Sequence, residues 1–153
     1  MLHLEILDKS DKTKCLIRDF LIKNEHLLPD PLSIHVNLDD YATKLCTLGI
    51  NIACIKNDSV LGIACGYIND YKNKNAFLQV LIISEEIQGL GFGSKLVREF
   101  IATAKTFYRK NGKVYLTVDK SNKKAIVIYK HIGFKESKII HKKDNKQIME
   151  YEL

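Results

Sequence analysis

The chain has 153 residues, 46% of them hydrophobic, with 24 Lys and Arg against 18 Asp and Glu. That size suits a single globular domain over residues 1–153 with a core of its own; no apolar run approaches the roughly 18 residues of a membrane span and nothing near Met1 has the form of a signal peptide, so a cytoplasmic protein is expected. The net charge of +6 is spread along the chain, neither gathered into an arm nor interleaved with aromatics, which speaks against a specific nucleic-acid partner and leaves a modest pull toward anionic ligands.

Residues 2–7 read as a first strand, and Ser10 is placed to cap a helix that carries Leu16, Ile17, Phe20 and Leu21 on one face and ends near Glu25. Pro29-Asp30-Pro31 breaks the chain and opens a loop to about Asn37. A second helix, from Asp39 or Asp40 to about Leu48, turns Tyr41, Ala42 and Leu45 inward. Strands at 50–56 and 60–69 flank the turn residues Asn57-Asp58-Ser59. A polar turn at 71–75 leads into an apolar strand at 76–83. From Ser94 to about Arg109, Leu96, Val97, Phe100, Ile101, Ala104, Phe107 and Tyr108 form one helical stripe. A strand at 113–118 follows, then a short helix that Ser121 can cap, with Ala125, Ile128, Tyr129 and Ile132 inward and Gly133 at its end. Residues 135–141 and 147–153 read as a closing hairpin. The expected order is β-α-α-β-β-β-α-β-α-β-β.

The four cysteines, Cys15, Cys46, Cys54 and Cys65, show no C-x-x-C pairing and no zinc-like spacing with histidine. Buried thiols in a reducing cytosol are expected, and no metal site. Cys54 and Cys65 do fall on adjacent expected strands.

The most informative segment is Gln88-Gly89-Leu90-Gly91-Phe92-Gly93, set between the strand at 76–83 and the long helix. A glycine-rich turn that opens a helix is suited to phosphate, because unpaired N–H groups and the positive end of the macrodipole meet there. A P-loop would require Gly-Lys-Ser/Thr, whereas this loop ends Gly93-Ser94-Lys95. A dinucleotide fingerprint would require a third glycine where Leu96 stands, and an acidic residue some twenty positions on. What remains is Q-x-x-G-x-G. A second block follows: Val118, Asn122, Ala125, Tyr129, Gly133 and Phe134 spell V-x-x-x-N-x-x-A-x-x-x-Y-x-x-x-G-F.

Together the two blocks resemble the GCN5-related N-acetyltransferase (GNAT) family, whose pyrophosphate loop begins with Arg or Gln and whose element order is the one read above. The resemblance implies an α/β (α+β) fold with a mixed, mostly antiparallel sheet of about seven strands and about four helices. It implies an acyltransferase that moves the acetyl group of the cosubstrate acetyl-CoA to a primary amine of a small molecule, or of a peptide, by direct attack in a ternary complex. A non-catalytic acetyl-CoA-binding or sensing module of the same fold is the alternative. The family splays its fourth strand from its fifth, and the thioester arm lies in the gap as an added strand would.

By that resemblance, main-chain groups of Leu81, Ile82 and Ile83 hold the pantetheine arm and polarise the acetyl carbonyl. Gln88, Gly89, Leu90, Gly91, Phe92, Gly93 and Ser94 surround the pyrophosphate, with Lys95 a secondary candidate for charge. Lys120, Lys123, Lys124 and Lys130 crowd the region after the strand at 113–118, to attract the coenzyme or simply as solubilising charges. Tyr129 is the general acid that protonates the departing thiolate; its plain alternative is a core tyrosine. Asn122 either positions the coenzyme arm or bonds the start of the short helix. No carboxylate lies in residues 76–83. Asp119, Glu85 and Glu86 are therefore base candidates by neighbourhood alone, Gln79 could orient a water, and no histidine is assigned a role. The expected acceptor walls are the 28–37 loop and Asn69-Asp70-Tyr71, with Asp39, Asp40 and Asp70 as cation partners. The fold also permits a homodimer through its last strands, and the sequence leaves that open.

Overall fold

Short-range signals start most of the elements. In the computed structural model, which describes residues 1–153, β1 (His3–Ile6) leads into α1 (Asp11–Asn24), whose Thr13 N–H donates to the Ser10 hydroxyl at 3.2 Å. Then come α2 (Leu38–Leu48), β2 (Ile50–Lys56), β3 (Ser59–Asp70) and β4 (Asn75–Ile83). The turn between β2 and β3 is made by Asn57 and Asp58, both at positive φ (48° and 64°), as a tight two-residue hairpin needs. α3 (Phe92–Tyr108), β5 (Lys113–Asp119), α4 (Lys123–Ile132), β6 (Lys135–Glu136) and β7 (Lys146–Glu152) complete the expected order.

Several local expectations shift. α2 begins earlier than Asp39, because the Asn37 side chain accepts the Asp40 N–H and makes the cap. At α4 the cap is Asn122, whose Oδ1 accepts the Ala125 N–H, while the Ser121 hydroxyl donates to Asp119 Oδ1 at 2.6 Å. The closing hairpin keeps only two residues in its first strand. Beyond it Ile139 and Ile140 are exposed, so no core face rewards continued alternation. Phe107 leaves the buried stripe of α3 and sits edge-on to Tyr71.

The seven strands form one sheet in the order β1-β2-β3-β4-β5-β7-β6, antiparallel except for β4 and β5. A parallel pair requires a crossover, and α3 supplies it. Period-two alternation separates the two cores: Ile52 and Cys54 of β2 face the layer of α3 and α4, while Ala53 between them faces α1 and α2. Cys54 and Cys65 therefore lie on opposite faces of the sheet, and all four cysteines are free thiols. No helix is long and apolar enough to cross a membrane.

Phe100, fully buried at the centre of α3, presses its ring on Gly66 of β3; a Cβ there would stand 2.7 Å from the ring and 2.2 Å from the Phe77 carbonyl oxygen. Truncating Phe100 to alanine would cost about 3–5 kcal/mol by the usual scale for buried aromatics. The same place carries the irregularity that makes the site. Cys65 pairs with Val80 but Gly66 pairs with Leu78, so Gln79 is an extra residue on β4. A bulge bends its strand, and the pairing of β4 with β5 stops right there, at Leu78 and Leu116.

Candidate active site

Beyond Leu78 and Leu116 the two central strands part, leaving half of β4 with an unpaired edge. The Ser84 N–H donates to the Leu61 carbonyl at 2.8 Å, which makes Leu61 and Ser84 a hydrogen-bonded pair. Alternation along an antiparallel ladder then assigns Ile82 the same kind of pairing with Ile63, and turns the main chain of Leu81 and Ile83 toward the gap. The Ile83 carbonyl is already taken, accepting the Gln88 side-chain amide at 3.0 Å. Leu81 thus holds the free strand-edge groups in the gap, while Ile82 contributes a buried side chain to the opposite core.

A groove of about 530 Å³ runs from this edge along the start of α3. Gly89 and Gly91 adopt positive φ (80° and 84°), and a Cβ on either would meet no protein atom within 4 Å, so that side of the backbone is open. Gly91 is the N-cap of α3 and offers no side-chain cap. None of the six N–H groups from residues 89–94 has a main-chain acceptor, which leaves a cluster of donors at the positive end of a 17-residue helix. Gln88 ties this loop to the end of β4 and leaves the loop's charge to its N–H groups. Leu90 is exposed and does not line the groove. Lys95 lies over the Phe92 ring, 4.7 Å from its centroid, whereas Lys124 borders the groove and Lys120, Lys123 and Lys130 do not.

Tyr129 stands where this groove meets a second cavity of about 230 Å³ between the parted strands. Its ring is buried edge-on against Phe134, 5.8 Å between centroids. Burial alone pushes the phenol up to about 12, so it is a proton donor at neutral pH. Asn122 borders both spaces as well, and its capping bond to Ala125 fixes the first turn of the helix that carries Tyr129.

The second cavity is polar, and distant parts of the chain build it. Asp30 and His35 come from the loop between α1 and α2, Asp119 from the end of β5 and Lys146 from the start of β7. His35 Nε2 lies 2.9 and 3.0 Å from the two Asp30 oxygens, and Lys146 Nζ lies 3.4 Å from Asp30 and 3.5 Å from Asp119. The Asp119 carboxyl is held below the usual carboxylate range, first by the Ser121 hydroxyl and N–H and then by Lys146. It borders the cavity as its neighbourhood suggests, but a carboxylate so stabilised is a poor proton acceptor. Glu85 and Glu86 sit on an exposed turn outside the cavity, where Glu85 meets His26 at 3.4 Å.

The 28–37 loop does wall this space, but Asn69-Asp70-Tyr71 does not. That turn closes at the other end of the sheet, where β4 and β5 are still paired, and the Asp70 N–H donates to the Tyr108 hydroxyl at 3.1 Å. Asp39 is likewise outside, 3.4 Å from Arg18. Lys146 was invisible as a site residue in the sequence, since no motif or spacing links it to Tyr129, and His35 lay within the expected 28–37 wall with no role assigned.

Comparison with known proteins agrees with this architecture. The sequence pattern of the Acetyltransferase (GNAT) family matches residues 17–134. Among solved structures, the chain superposes on the ribosomal-protein-S18-alanine N-acetyltransferase from Escherichia coli (TM-score 0.76, 18% identity, 99% of this chain and 94% of that one). It does so equally on the PaiA N-acetyltransferase from Thermoplasma acidophilum in complex with coenzyme A (TM-score 0.74, 14% identity, 100% and 99%). At these identities the likeness is one of fold. A 76-residue stretch is 32% identical to the spermine/spermidine N(1)-acetyltransferase of Bacillus subtilis (strain 168), spanning 50% of this chain and about half, 49%, of that protein. With the family pattern running over most of the chain and the fold complete, the chain belongs to the GNAT acetyltransferase family.

Proposed function

We propose that this chain is an N-acetyltransferase that moves the acetyl group of acetyl-CoA to a primary amine of a small molecule, by direct attack in a ternary complex. The observation that carries the reading is the position of Tyr129, at the junction of a donor-lined groove and a polar cavity, beside a free strand edge. The groove accepts the pyrophosphate on the N–H groups of residues 89–94. The pantetheine arm then follows the β4 edge, where the Leu81 main chain holds it as an added strand. Its thioester comes to rest by Tyr129, which donates its proton to the sulfur as the C–S bond breaks.

The acceptor enters through the polar cavity. Asp30 and Asp119 there outnumber the ammonium of Lys146, so an amine with a second positive charge is favoured over an anionic one. The partial match to a spermine/spermidine acetyltransferase supports polyamines as the first class to try. Free thiols throughout fit work in a reducing cytoplasm.

Release of free coenzyme A thiol from acetyl-CoA in the presence of spermidine and simple primary alkylamines tests the reading. Amine-dependent release that falls in Tyr129→Phe supports it. Acetyl-CoA binding without release for any amine would leave a sensor of the same fold.

A further inference from the structure

The reading above lacks a group to take the proton from the amine. Of the five titratable side chains that border the acceptor cavity, Tyr129 is a donor and Lys146 is a cation paired with two carboxylates. Asp119 is held anionic by Ser121 and Lys146. Asp30 is held low too, first by its hydrogen bond to His35 and then by Lys146. Both carboxylates thus resist protonation, and His35 is what remains.

The geometry around His35 is that of an oriented imidazole. Asp30, a carboxylate, can only accept, so the contact from Nε2 to its two oxygens places the ring proton on Nε2. In the neutral ring the lone pair then lies on Nδ1, and the hydrogen bonds of the ring to the protein run through Nε2. The backbone beneath is pinned as well. Ser33 donates to Glu25 through its N–H at 3.1 Å and through its hydroxyl, and the His35 N–H donates to the Leu32 carbonyl at 2.9 Å. An imidazole held by a carboxylate, on a hydrogen-bonded loop that lines the cavity, has the arrangement of a general base and its positioning residue.

We infer that His35 is the proton acceptor of the acetyl transfer, with Asp30 as the residue that positions it, an assignment that rests on the acetyl-transfer reading. An acceptor arriving as an ammonium gives one proton to His35 Nδ1. The nitrogen lone pair attacks the thioester carbonyl carbon; a C–N bond forms, and the C–S bond breaks with its electron pair going to sulfur. Tyr129 protonates the sulfur, and the proton shed by nitrogen as the amide forms restores the phenol. The imidazolium releases its proton to solvent, so one proton leaves per turnover.

The test is the pH dependence of kcat and kcat/KM, with spermidine and a panel of primary alkylamines, for the native chain, His35→Gln and Asp30→Asn, with acetyl-CoA affinity measured by calorimetry. His35 is exposed enough for its replacement to fold, and the thermal unfolding of each variant checks this. His35→Gln is expected to lose about 100-fold in kcat near neutrality, in the usual range for a general base. It should keep its acetyl-CoA affinity and regain rate at high pH, where the amine is already neutral. Asp30→Asn should lose less than His35→Gln, because the imidazole remains and only its positioning partner is gone. A native rate and limb in His35→Gln would overturn the assignment alone. Acetyl-CoA binding with no turnover of any amine by the native chain would overturn the acetyl-transfer reading, and the assignment with it.

Discussion

The groove at the start of α3 and the cavity between β4 and β5 meet at Tyr129, yet they are built on different principles. The groove takes its hydrogen-bond donors from main-chain groups of one continuous stretch, the end of β4 through the first turn of α3, and is closed by Leu27, Leu28 and Pro29 and by one face of α4. Its chemistry needs glycines at two positive-φ positions and a helix to follow, and little from side chains. The cavity is made by side chains that start 89 residues apart at Asp30 and Asp119 and are joined by Lys146. A coenzyme common to a family suits the first kind of construction. An acceptor that varies suits the second, because loop side chains change without disturbing the sheet.

The comparison breaks most visibly at the junction. Tyr129→Phe removes the proton donor while leaving both spaces intact, and kcat is expected to fall about 100- to 1,000-fold with acetyl-CoA affinity unchanged, as calorimetry beside steady-state rates would show. If acetyl-CoA affinity fell instead, Tyr129 would belong to the groove alone.

Next in size is Gly91→Val. A branched side chain is strained by about 1–2 kcal/mol at a φ of 84° and projects into open space beside the groove that Gly91 lines. Acetyl-CoA affinity should weaken by about tenfold or more, with no change in relative preference among amines. A change confined to amine preference would erase the division between the two regions.

Lys146→Met makes the converse change. It releases the tie between Asp30 and Asp119 and should alter KM for the amine by about fivefold, the scale of a partly screened ion pair, with coenzyme binding untouched. A cationic acceptor would gain, since the competing ammonium is gone while Asp30 keeps His35 and Asp119 keeps Ser121.

The smallest effect is a titration. Hydrogen bonds from His35 and from Ser121, followed by Lys146, hold Asp30 and Asp119 below the usual carboxylate range. In the unfolded chain they titrate near about 3.9. Their contribution to stability is therefore complete above that value and is lost as pH falls through the depressed ones. Carbon-13 NMR of the two carboxyls checks the direction, and the Lys146→Met variant should return both part of the way to ordinary values.

The donor-bearing part of the groove was readable in the sequence because it is local, whereas no local signal tied Leu27, Leu28 and Pro29 to it. Glycine spacing fixes the loop, the 3.6-residue stripe fixes α3, and the Asn122-to-Phe134 block fixes the helix that presents Tyr129. Single-residue details were less secure. Ser121 and Asn122 are both good caps, and only the Asp119 carboxylate, which takes the Ser121 hydroxyl, leaves the role to Asn122. Gln88 could have faced phosphate, but the Ile83 carbonyl at the open strand edge claims its amide.

By itself, then, the sequence determined the order of elements, the glycine loop that opens α3 and the helix that carries Tyr129, since each depends on contacts a few residues long. Only the tertiary structure decided the point at which β4 parts from β5, the choice of Leu81 over Ile82 as the free edge, and the gathering of Asp30, His35, Asp119 and Lys146 around one cavity. Those depend on the bulge at Gln79 and on how the sheet brings the 28–37 loop, β5 and β7 together, and no local pattern of residues encodes a distance between segments so far apart in the chain.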